Sequence, residues 1–360
     1  MTLLLNYRPV LSQPTGIGVY ANAVLPALQQ LPHQLIRGGG AGGAAERLRR
    51  LAWSQLTLPG LARRQRASLV FTPAPEGYLG SQPIPQVVMV HDLRPISHPQ
   101  QSLQSLYFRA WVPPLLRQCR HILTNSAFTA AEILRHTGVA AERISVIPLG
   151  YDSEAFRPAP APAGGGDPGH GQGQGAAARG NASPYLLHVG QAYPHKNLRR
   201  LIEAFAALAR RHPDLRLLLA GKPHPRHTAQ LRALVAERGL ADRIEFRPYV
   251  PFADLPDLYR GALALVYPSL WEGFGLPVLE AMACGTPVLT SRGSGTEEAA
   301  GEAALLIDPM DQSALEAALQ RLVQEPQLRD RLRQRGLRRA GGFRWAYTAT
   351  ATRQLLESLL

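Results

Sequence analysis

The sequence predicts an α/β protein with two domains, each a doubly wound parallel sheet. Three observations support this fold class. The chain has 360 residues, which is more than one hydrophobic core ordinarily organises. Short apolar runs alternate with amphipathic helical segments along its whole length. The runs that resemble strands are apolar throughout, which is typical of parallel sheets covered by helices on both faces.

The first half contains five predicted strands and three predicted helices. The strands, each a short apolar run, are Leu3–Tyr7, Leu69–Thr72, Gln86–His91, His121–Thr124 and Ile144–Ile147. The helices, which have apolar residues at helical spacing, are Gly18–Gln30, Ser102–Cys119 and Ser126–Thr137. Asn125 and Ser126 are well suited to cap the last of these helices. We place a first Rossmann-like domain at residues 1–156.

The second half repeats the alternation. Its predicted strands are Tyr185–Val189, Leu215–Ala220, Ile244–Phe246, Leu263–Val266, Pro287–Leu289 and Ala304–Ile307. Its predicted helices include Asn197–Arg211, Thr228–Arg238, Pro277–Ala283 and Gln312–Gln324. We place a second Rossmann-like domain at residues 184–344. We expect residues 345–360 to form a helix that packs back on the first domain.

The segment between the two domains, residues 157–183, has a different composition. It consists largely of Pro, Gly, Ala and Gln and has almost no bulky apolar residue. Because such a segment cannot bury a core, we predict a linker or a surface insertion.

The formal charge of the chain is +13 and is unevenly distributed. Residues 1–150 carry 14 Arg against 5 Asp and Glu, a net +9, whereas residues 151–360 carry 25 Lys and Arg against 21 Asp and Glu, a net +4. Two interpretations of the basic half are open. Its arginines either form an ordinary solvated surface or attract anionic lipid or a phosphorylated acceptor. Nucleic acid is not an expected partner, because the basic residues are not interleaved with aromatic ones in a recognisable module.

The chain has no apolar run long enough to span a bilayer, and Met1–Val10 resembles a first strand rather than a signal peptide. Cys119 and Cys284, far apart and without nearby histidine pairs, predict neither a disulfide nor a zinc site. We therefore expect a cytoplasmic protein, with peripheral contact at the inner membrane face left open by the charge.

The segment with most of the predicted chemistry is Ser269–Leu289. Its loop contains Glu272, Gly273, Phe274 and Gly275, and a helix follows from Pro277. Glycines before a helix N-terminus let backbone N–H groups approach an anion, which the helix dipole also favours. Two carboxylates, Glu272 and Glu280, are separated by seven residues and can accept hydrogen bonds from hydroxyl groups of the same ligand.

A second motif lies in Tyr185–Phe205. A strand ends near Gly190, the following loop carries Lys196, and Asn197 is a good N-cap for the next helix. The chain has only two lysines, Lys196 and Lys222, and both follow predicted strands. A compact ammonium beside a phosphate is a chemical reason to use Lys where the chain otherwise uses Arg.

Three weaker features complete the candidate set. Gly293 and Gly295 precede Glu297 and Glu298 in a turn that is equally consistent with exposed acids. Gly16 and Gly18 open a helix and formally fit a dinucleotide fingerprint, but no acidic residue follows about 20 positions later. His91 and Asp92 end an apolar strand, which puts them at the carboxyl edge of the first sheet.

Taken in order along the chain, these motifs resemble those of retaining glycosyltransferases of family 4, which have the GT-B fold of two Rossmann-like domains facing across a cleft. The resemblance rests on the Glu-x7-Glu pattern of Glu272 and Glu280, covers 185–308 closely and extends more loosely through 1–150.

The resemblance implies roles for individual residues. Glu272 would contact the hexose of the donor, and Glu280 would contact the ribose of the donor nucleotide. The turn of Gly273, Phe274 and Gly275 would lie near the sugar and phosphate. Lys196 would bind the donor pyrophosphate, with Lys222 nearby, although the Arg that often accompanies it is here His195 or Gln191. Glu298, better aligned than Glu297, would lie near the donor. Gly16 and Gly18 would form a flexible loop reaching the donor, and His91 would line the reaction site.

No Asp-x-Asp motif is present to hold a divalent cation, so we expect neither a metal nor a cofactor. Lys196, backbone amides and a helix dipole would instead stabilise the leaving nucleoside diphosphate.

The expected activity is transfer of a hexose, with mannose from GDP-mannose favoured, to a glycan or lipid-linked acceptor in surface polysaccharide assembly. UDP-glucose or another UDP-hexose remains open as donor. A donor-binding subunit without transfer activity and, on the Gly16–Ala21 motif, a nicotinamide-dependent oxidoreductase are the competing interpretations.

Overall fold

The computed structural model describes residues 1–10, 16–38, 44–81, 84–98, 103–159 and 183–360. The predicted linker lies outside the described residues except at its two ends. The chain divides into two compact units, one formed by Met1–Gly150 with Arg344–Leu360 and the other by Tyr151–Phe343.

The first unit is a six-stranded sheet of parallel strands in the order β2-β1-β3-β4-β5-β6. Its strands are β1 (Leu3–Tyr7), β2 (His33–Arg37), β3 (Leu69–Thr72), β4 (Gln86–Val90), β5 (His121–Thr124) and β6 (Ile144–Val146). Its helices up to Gly150 are α1 (Gly16–Leu28), α2 (Ala44–Leu56), α3 (Leu58–Arg64), α4 (Arg94–Ser97), α5 (Leu103–Ala110), α6 (Val112–Gln118) and α7 (Ala127–Thr137).

The second unit is also a six-stranded parallel sheet, in the order β12-β11-β10-β7-β8-β9. Its strands are β7 (Tyr185–Val189), β8 (Arg216–Ala220), β9 (Ile244–Arg247), β10 (Ala264–Tyr267), β11 (Val288–Ser291) and β12 (Leu305–Ile307). Its helices are α8 (Leu198–Ala209), α9 (His227–Glu237), α10 (Leu255–Gly261), α11 (Leu276–Ala283), α12 (Gly295–Ala300), α13 (Gln312–Gln324) and α14 (Pro326–Ala340). The predicted α/β class with two parallel sheets is therefore confirmed.

The core of the second unit shows why its segments become these elements. In α8, Leu201, Ile202 and Phe205 recur at helical spacing, and each is fully buried against the sheet. All four residues of β10 are buried, as expected for a central parallel strand. Burying a side chain the size of Leu or Phe stabilises the fold by about 2 kcal/mol.

The last helix, α15 (Trp345–Leu359), belongs to the first unit. The Thr348 hydroxyl donates to the Pro148 carbonyl at 2.7 Å, and Thr352 lies 3.4 Å from the hydroxyl of Tyr20 in α1. Leu356 is fully buried. Gly150 contacts the backbone at Trp345 so closely that a Cβ there would overlap it. The end of the chain is thus a structural part of the first unit.

Several elements of the first unit differ from the sequence-based expectation, and three of its helices, α2, α3 and α4, were not predicted. Strand β2 was not predicted, because its side chains are only half-buried at the sheet edge. The single helix expected at Ser102–Cys119 is two helices, α5 and α6, separated at Trp111. Pro113 and Pro114 cause the break, since neither residue has the N–H that a continuous helix would need there.

The strand order fixes where a site can form in the second unit. The sheet grows in opposite directions from the neighbouring strands β7 and β10. In sheets of this type, ligands bind outside the carboxyl ends of the strands at such a reversal point. No helix within the described residues is long and apolar enough to cross a membrane.

Candidate active site

Three loops meet at the carboxyl edge of the second sheet. The loop after β10 donates a backbone hydrogen bond from Leu270 to the carbonyl of His195, in the loop after β7, at 2.7 Å. The Glu272 carbonyl accepts from the N–H of Gly295, after β11, at 2.9 Å. A Cβ on Gly295 would overlap the Gly273 carbonyl, so this contact requires glycine. The predicted motifs after β7, β10 and β11 are thereby brought together.

At this meeting point Lys196 and Glu272 form a buried ion pair. The Nζ atom of Lys196 lies 2.6 Å from Oε1 of Glu272, and the two side chains are 11% and 14% exposed. Burial opposes the charge on Lys196, but Glu272 and Tyr267 outweigh burial and raise its pKa. The ammonium is therefore charged at neutral pH, and an anion bound beside it would be stabilised.

Two further side chains support the ammonium. The Tyr267 hydroxyl accepts a hydrogen bond from Nζ of Lys196 at 2.6 Å, and the tyrosine ring centre lies 4.8 Å from the same nitrogen. His188 stacks on Tyr267 with ring centres 5.3 Å apart and planes 12° apart. Burial and the Lys196 charge lower the pKa of His188 to about 4, so this imidazole is neutral.

The Gly273–Gly275 turn leads directly into α11. Gly275 has φ of +109°, which favours glycine, and a Cβ there would approach Cγ2 of Thr296 to 2.7 Å. Phe274 is buried and lies edge-on to Phe343, with ring centres 6.0 Å apart. The helix begins at Leu276, so the positive end of its dipole faces this turn.

Glu280 lies on α11, and its carboxylate accepts a hydrogen bond from the Tyr259 hydroxyl at 2.8 Å. Burial raises the pKa of Glu280 to about 7, although the bond from Tyr259 acts in the opposite direction. This carboxylate is thus poised between its neutral and charged forms near physiological pH.

The remaining predicted residues of the second unit have different surroundings. Lys222 is exposed in the loop after β8, in contrast to the buried Lys196. Glu297 accepts from the N–H of Gly293 at 2.7 Å and pairs with Arg292 at 3.7 Å, so it closes its own turn. Glu298 is half-buried in the first turn of α12.

In the first unit His91 follows the end of β4. Its Nε2 lies 3.1 Å from the Pro73 carbonyl, and its ring packs edge-on against Tyr20 at 5.1 Å. Because a carbonyl can only accept, Nε2 carries the proton and Nδ1 is an acceptor. Burial lowers the pKa of His91 to about 4, which keeps it neutral.

Gly16 and Gly18 form the first turn of α1, which starts two residues earlier than predicted. Gly16 is exposed and Gly18 is buried. The residues that immediately precede them, 11–15, lie outside the described part of the chain.

Asn197 does not cap its helix in the predicted way. It adopts a left-handed conformation with φ of +60°, and its side chain donates to the Pro309 carbonyl at 2.8 Å. The sequence reasoning also missed Tyr267, His188 and Tyr259, each of which is buried beside a predicted residue. Tyr267 could have been found, because it is the last residue of a strand at the reversal point of the sheet. Within the described residues no group of three His, Cys, Asp or Glu side chains is arranged to hold a metal ion.

Comparisons with known proteins agree with this architecture. Residues 15–155 match the family described as Glycosyltransferase Family 4, and residues 176–339 match Glycosyl transferases group 1. Sucrose-phosphate synthase from Thermosynechococcus elongatus has the same fold, with a TM-score of 0.78 and 21% identity, over 100% of this chain and 99% of that one.

Two curated relatives are similar in sequence. O-antigen chain mannosyltransferase B of Escherichia coli is 33% identical over 77% of this chain and 71% of its own length. O-antigen chain mannosyltransferase RfbU of Salmonella typhimurium is 31% identical over 67% of this chain, and the matched part spans 62% of that relative's length. The two family matches and these relatives show that the chain belongs to the glycosyltransferases described as family 4 and group 1.

Proposed function

We propose that this protein transfers a hexose from a nucleoside diphosphate sugar to a hydroxyl group of a glycan or lipid-linked acceptor, with retention at the anomeric carbon. The observation that most supports this is the buried pair of Lys196 and Glu272, 2.6 Å apart, beside the glycine turn before α11. A fixed cation, the N-terminal end of a helix and a carboxylate suit a diphosphate joined to a sugar.

In the proposed reaction the bond between the anomeric carbon and the diphosphate oxygen breaks as the acceptor oxygen bonds to that carbon. The acceptor proton passes to the departing diphosphate on the same face of the sugar. Lys196 and the amides before α11 stabilise the charge that develops on the diphosphate. Glu272 accepts from hexose hydroxyls and Glu280 from ribose hydroxyls, and Gly273, Phe274 and Gly275 shape the turn that holds the sugar and phosphate.

The other predicted residues have proposed roles that follow the family resemblance. Lys222 and Glu298 are proposed to contact the donor at the edge of this site. His91, with Gly16 and Gly18, is proposed to contribute from the first unit. His91→Gln should lower kcat with little effect on nucleotide affinity, and an unchanged kcat would remove His91 from the proposal.

GDP-mannose is the proposed donor, because both curated relatives are named O-antigen chain mannosyltransferases. For the same reason we propose a role in surface polysaccharide assembly. A UDP-hexose is the second donor to be tested.

The experiment is donor hydrolysis by the purified protein, with GDP-mannose, UDP-glucose, UDP-galactose, UDP-N-acetylglucosamine and NAD as a panel. Lys196→Ala and Glu272→Ala should abolish turnover of the one accepted sugar nucleotide. Arg199→Ala and Glu203→Ala are matched controls, because this exposed pair on α8 carries the same charges outside the site. Nucleotide binding without any turnover, also in the presence of acceptor extracts, would favour a donor-binding subunit. Binding of NAD alone would refute the proposal.

We also propose peripheral contact with an anionic membrane, on the basis of the net charge of +9 in residues 1–150. Flotation with vesicles containing anionic lipid should show binding that high salt removes. Equal flotation with neutral vesicles, or none, would contradict this contact.

A further inference from the structure

Lys196 and Glu272 bind each other in the structure, whereas in the proposed function both side chains bind the donor. Their ion pair is 2.6 Å long. A donor sugar that recruits the Glu272 carboxylate takes away one of the two protein partners of the ammonium. A flexible lysine side chain that loses a partner also loses its fixed direction, which weakens its contact with a diphosphate.

Tyr267 is the partner that stays. Its hydroxyl lies 2.6 Å from Nζ of Lys196, and the residue is only 2% exposed. It ends β10, pairs with Thr290 of β11 in the sheet, and its carbonyl accepts from the Thr290 hydroxyl at 2.9 Å. Glu272, by contrast, lies in the loop after β10. The tyrosine is therefore anchored by the sheet, while the glutamate is carried by a loop.

His188 supports the tyrosine ring from the neighbouring strand. It is fully buried, and its Nδ1 donates to the Val266 carbonyl at 3.0 Å. Its Nε2 has no hydrogen-bond partner within the described residues. A Cβ on Gly190 would be in ordinary van der Waals contact with this Nε2, at 3.5 Å, and with Nζ of Lys196, at 3.8 Å, so Gly190 borders both nitrogens. The stack is therefore a neutral, rigid support beside the cation.

We propose that Tyr267, supported by His188, is a positioning residue that holds the Lys196 ammonium in place when Glu272 turns to the donor sugar. The proposal rests on the proposed function. It assigns to Tyr267 no contact with the reacting atoms, and its effect on the ligand passes entirely through Lys196.

The first test measures GDP and UDP binding by calorimetry and turnover of the accepted donor. Tyr267→Phe keeps the ring and removes the hydroxyl, and it should weaken nucleotide binding and lower kcat/KM about tenfold, as expected for loss of a hydrogen bond to a charged group. In a Lys196→Met background the same substitution should have no further effect on nucleotide binding. Tyr185→Phe is the matched control, because it also removes a tyrosine hydroxyl bond, partly buried, to the Leu258 carbonyl at 2.7 Å, outside the site. Its binding and turnover should equal those of the unmodified protein.

The second test needs no nucleotide. Since the chain has only Lys196 and Lys222, protein labelled with ¹⁵N-lysine gives two ammonium signals in NMR spectra. In Glu272→Gln, which removes the charge of that partner, the Lys196 ammonium should still exchange slowly with water. Addition of Tyr267→Phe to that variant should make its exchange as fast as that of the exposed Lys222.

Three results would overturn the positioning role. They are unchanged nucleotide binding in Tyr267→Phe, an equal loss in the Lys196→Met background, and rapid exchange of Lys196 already in Glu272→Gln. If no nucleotide binds to the unmodified protein but the exchange pattern is as expected, the proposed function fails while the hold of Tyr267 on Lys196 stands.

Discussion

The perturbed pKa of Glu280 makes a specific prediction about stability. Burial on α11 raises this pKa from 4.5 to about 7 on folding. The folded state therefore binds a proton that the unfolded state has lost between these pH values, and the unfolding free energy falls as the pH rises through this window. Ionising the carboxylate in the folded protein costs at most roughly 3 kcal/mol.

The perturbation is Glu280→Gln, which fills the same space and cannot ionise. Its unfolding free energy relative to the unmodified protein should increase between pH 4.5 and about 7 and stay level above that range. Tyr259→Phe removes the hydrogen bond that lowers the pKa of Glu280. In this variant the pH range over which the unfolding free energy falls should therefore extend to higher pH. If the ribose hydroxyls of the nucleotide bind the charged carboxylate of Glu280, the affinity for GDP should rise as the pH rises through about 7. In Glu280→Gln the affinity for GDP should not rise in this range.

The assay is urea unfolding at half-unit pH steps, followed by circular dichroism. Hydrogen exchange of the α11 amides reports the second unit separately from the first. Other titrating groups cancel when the two proteins are compared at each pH. If the stability difference between Glu280→Gln and the unmodified protein does not change with pH, the assigned burial of this carboxylate is wrong.

Three further predictions concern stability. Lys196→Met leaves the Glu272 carboxylate without its cation, and urea titrations should show an unfolding free energy lower by about 3 kcal/mol. Adding Glu272→Leu should recover part of the lost unfolding free energy. An equal loss in the double variant would contradict this stabilising role of the ion pair. Gly295→Ala forces a Cβ onto the Gly273 carbonyl and should lower the free energy of unfolding, measured by thermal unfolding, by about 2 kcal/mol. The control Gly60→Ala has open space around the added Cβ and should be neutral or slightly stabilising. Equal melting temperatures of the two variants would argue against the contact between the loops. Leu356→Ala should destabilise the first unit by about 3 kcal/mol because the side chain is fully buried, and a loss below 1 kcal/mol in calorimetry would show that α15 is not part of that core.

The central strands could be predicted from the sequence because their physical signal is local. Every residue of β3, β4, β5, β10 and β11 is buried, so each strand appears as a run that is mostly apolar. At the edge of the first sheet this signal weakens. The half-buried strand His33–Arg37 mixes polar and apolar residues and has no clear pattern.

The grouping of the candidate site residues was predictable where they lie in a single segment. The glycine turn and the two glutamates around α11 lie within the nine residues 272–280, and Lys196 stood out as one of only two lysines. The partners of these groups come from distant segments. Tyr267 is 71 residues from Lys196, and Tyr259 reaches Glu280 from a different helix. Such contacts depend on strand order, which residue spacing alone does not determine.

The return of α15 to the first unit has a consequence for biosynthesis. The first unit needs residues 344–360 to complete its packing against α1, whereas all residues of the second unit, Tyr151–Phe343, lie before them. During synthesis from the N-terminus, every residue of the second unit is therefore made before the residues that complete the packing of the first unit. A chain that lacks residues 344–360 would carry every residue of the second unit, but its first unit would leave exposed the face of α1 that α15 covers, which favours aggregation.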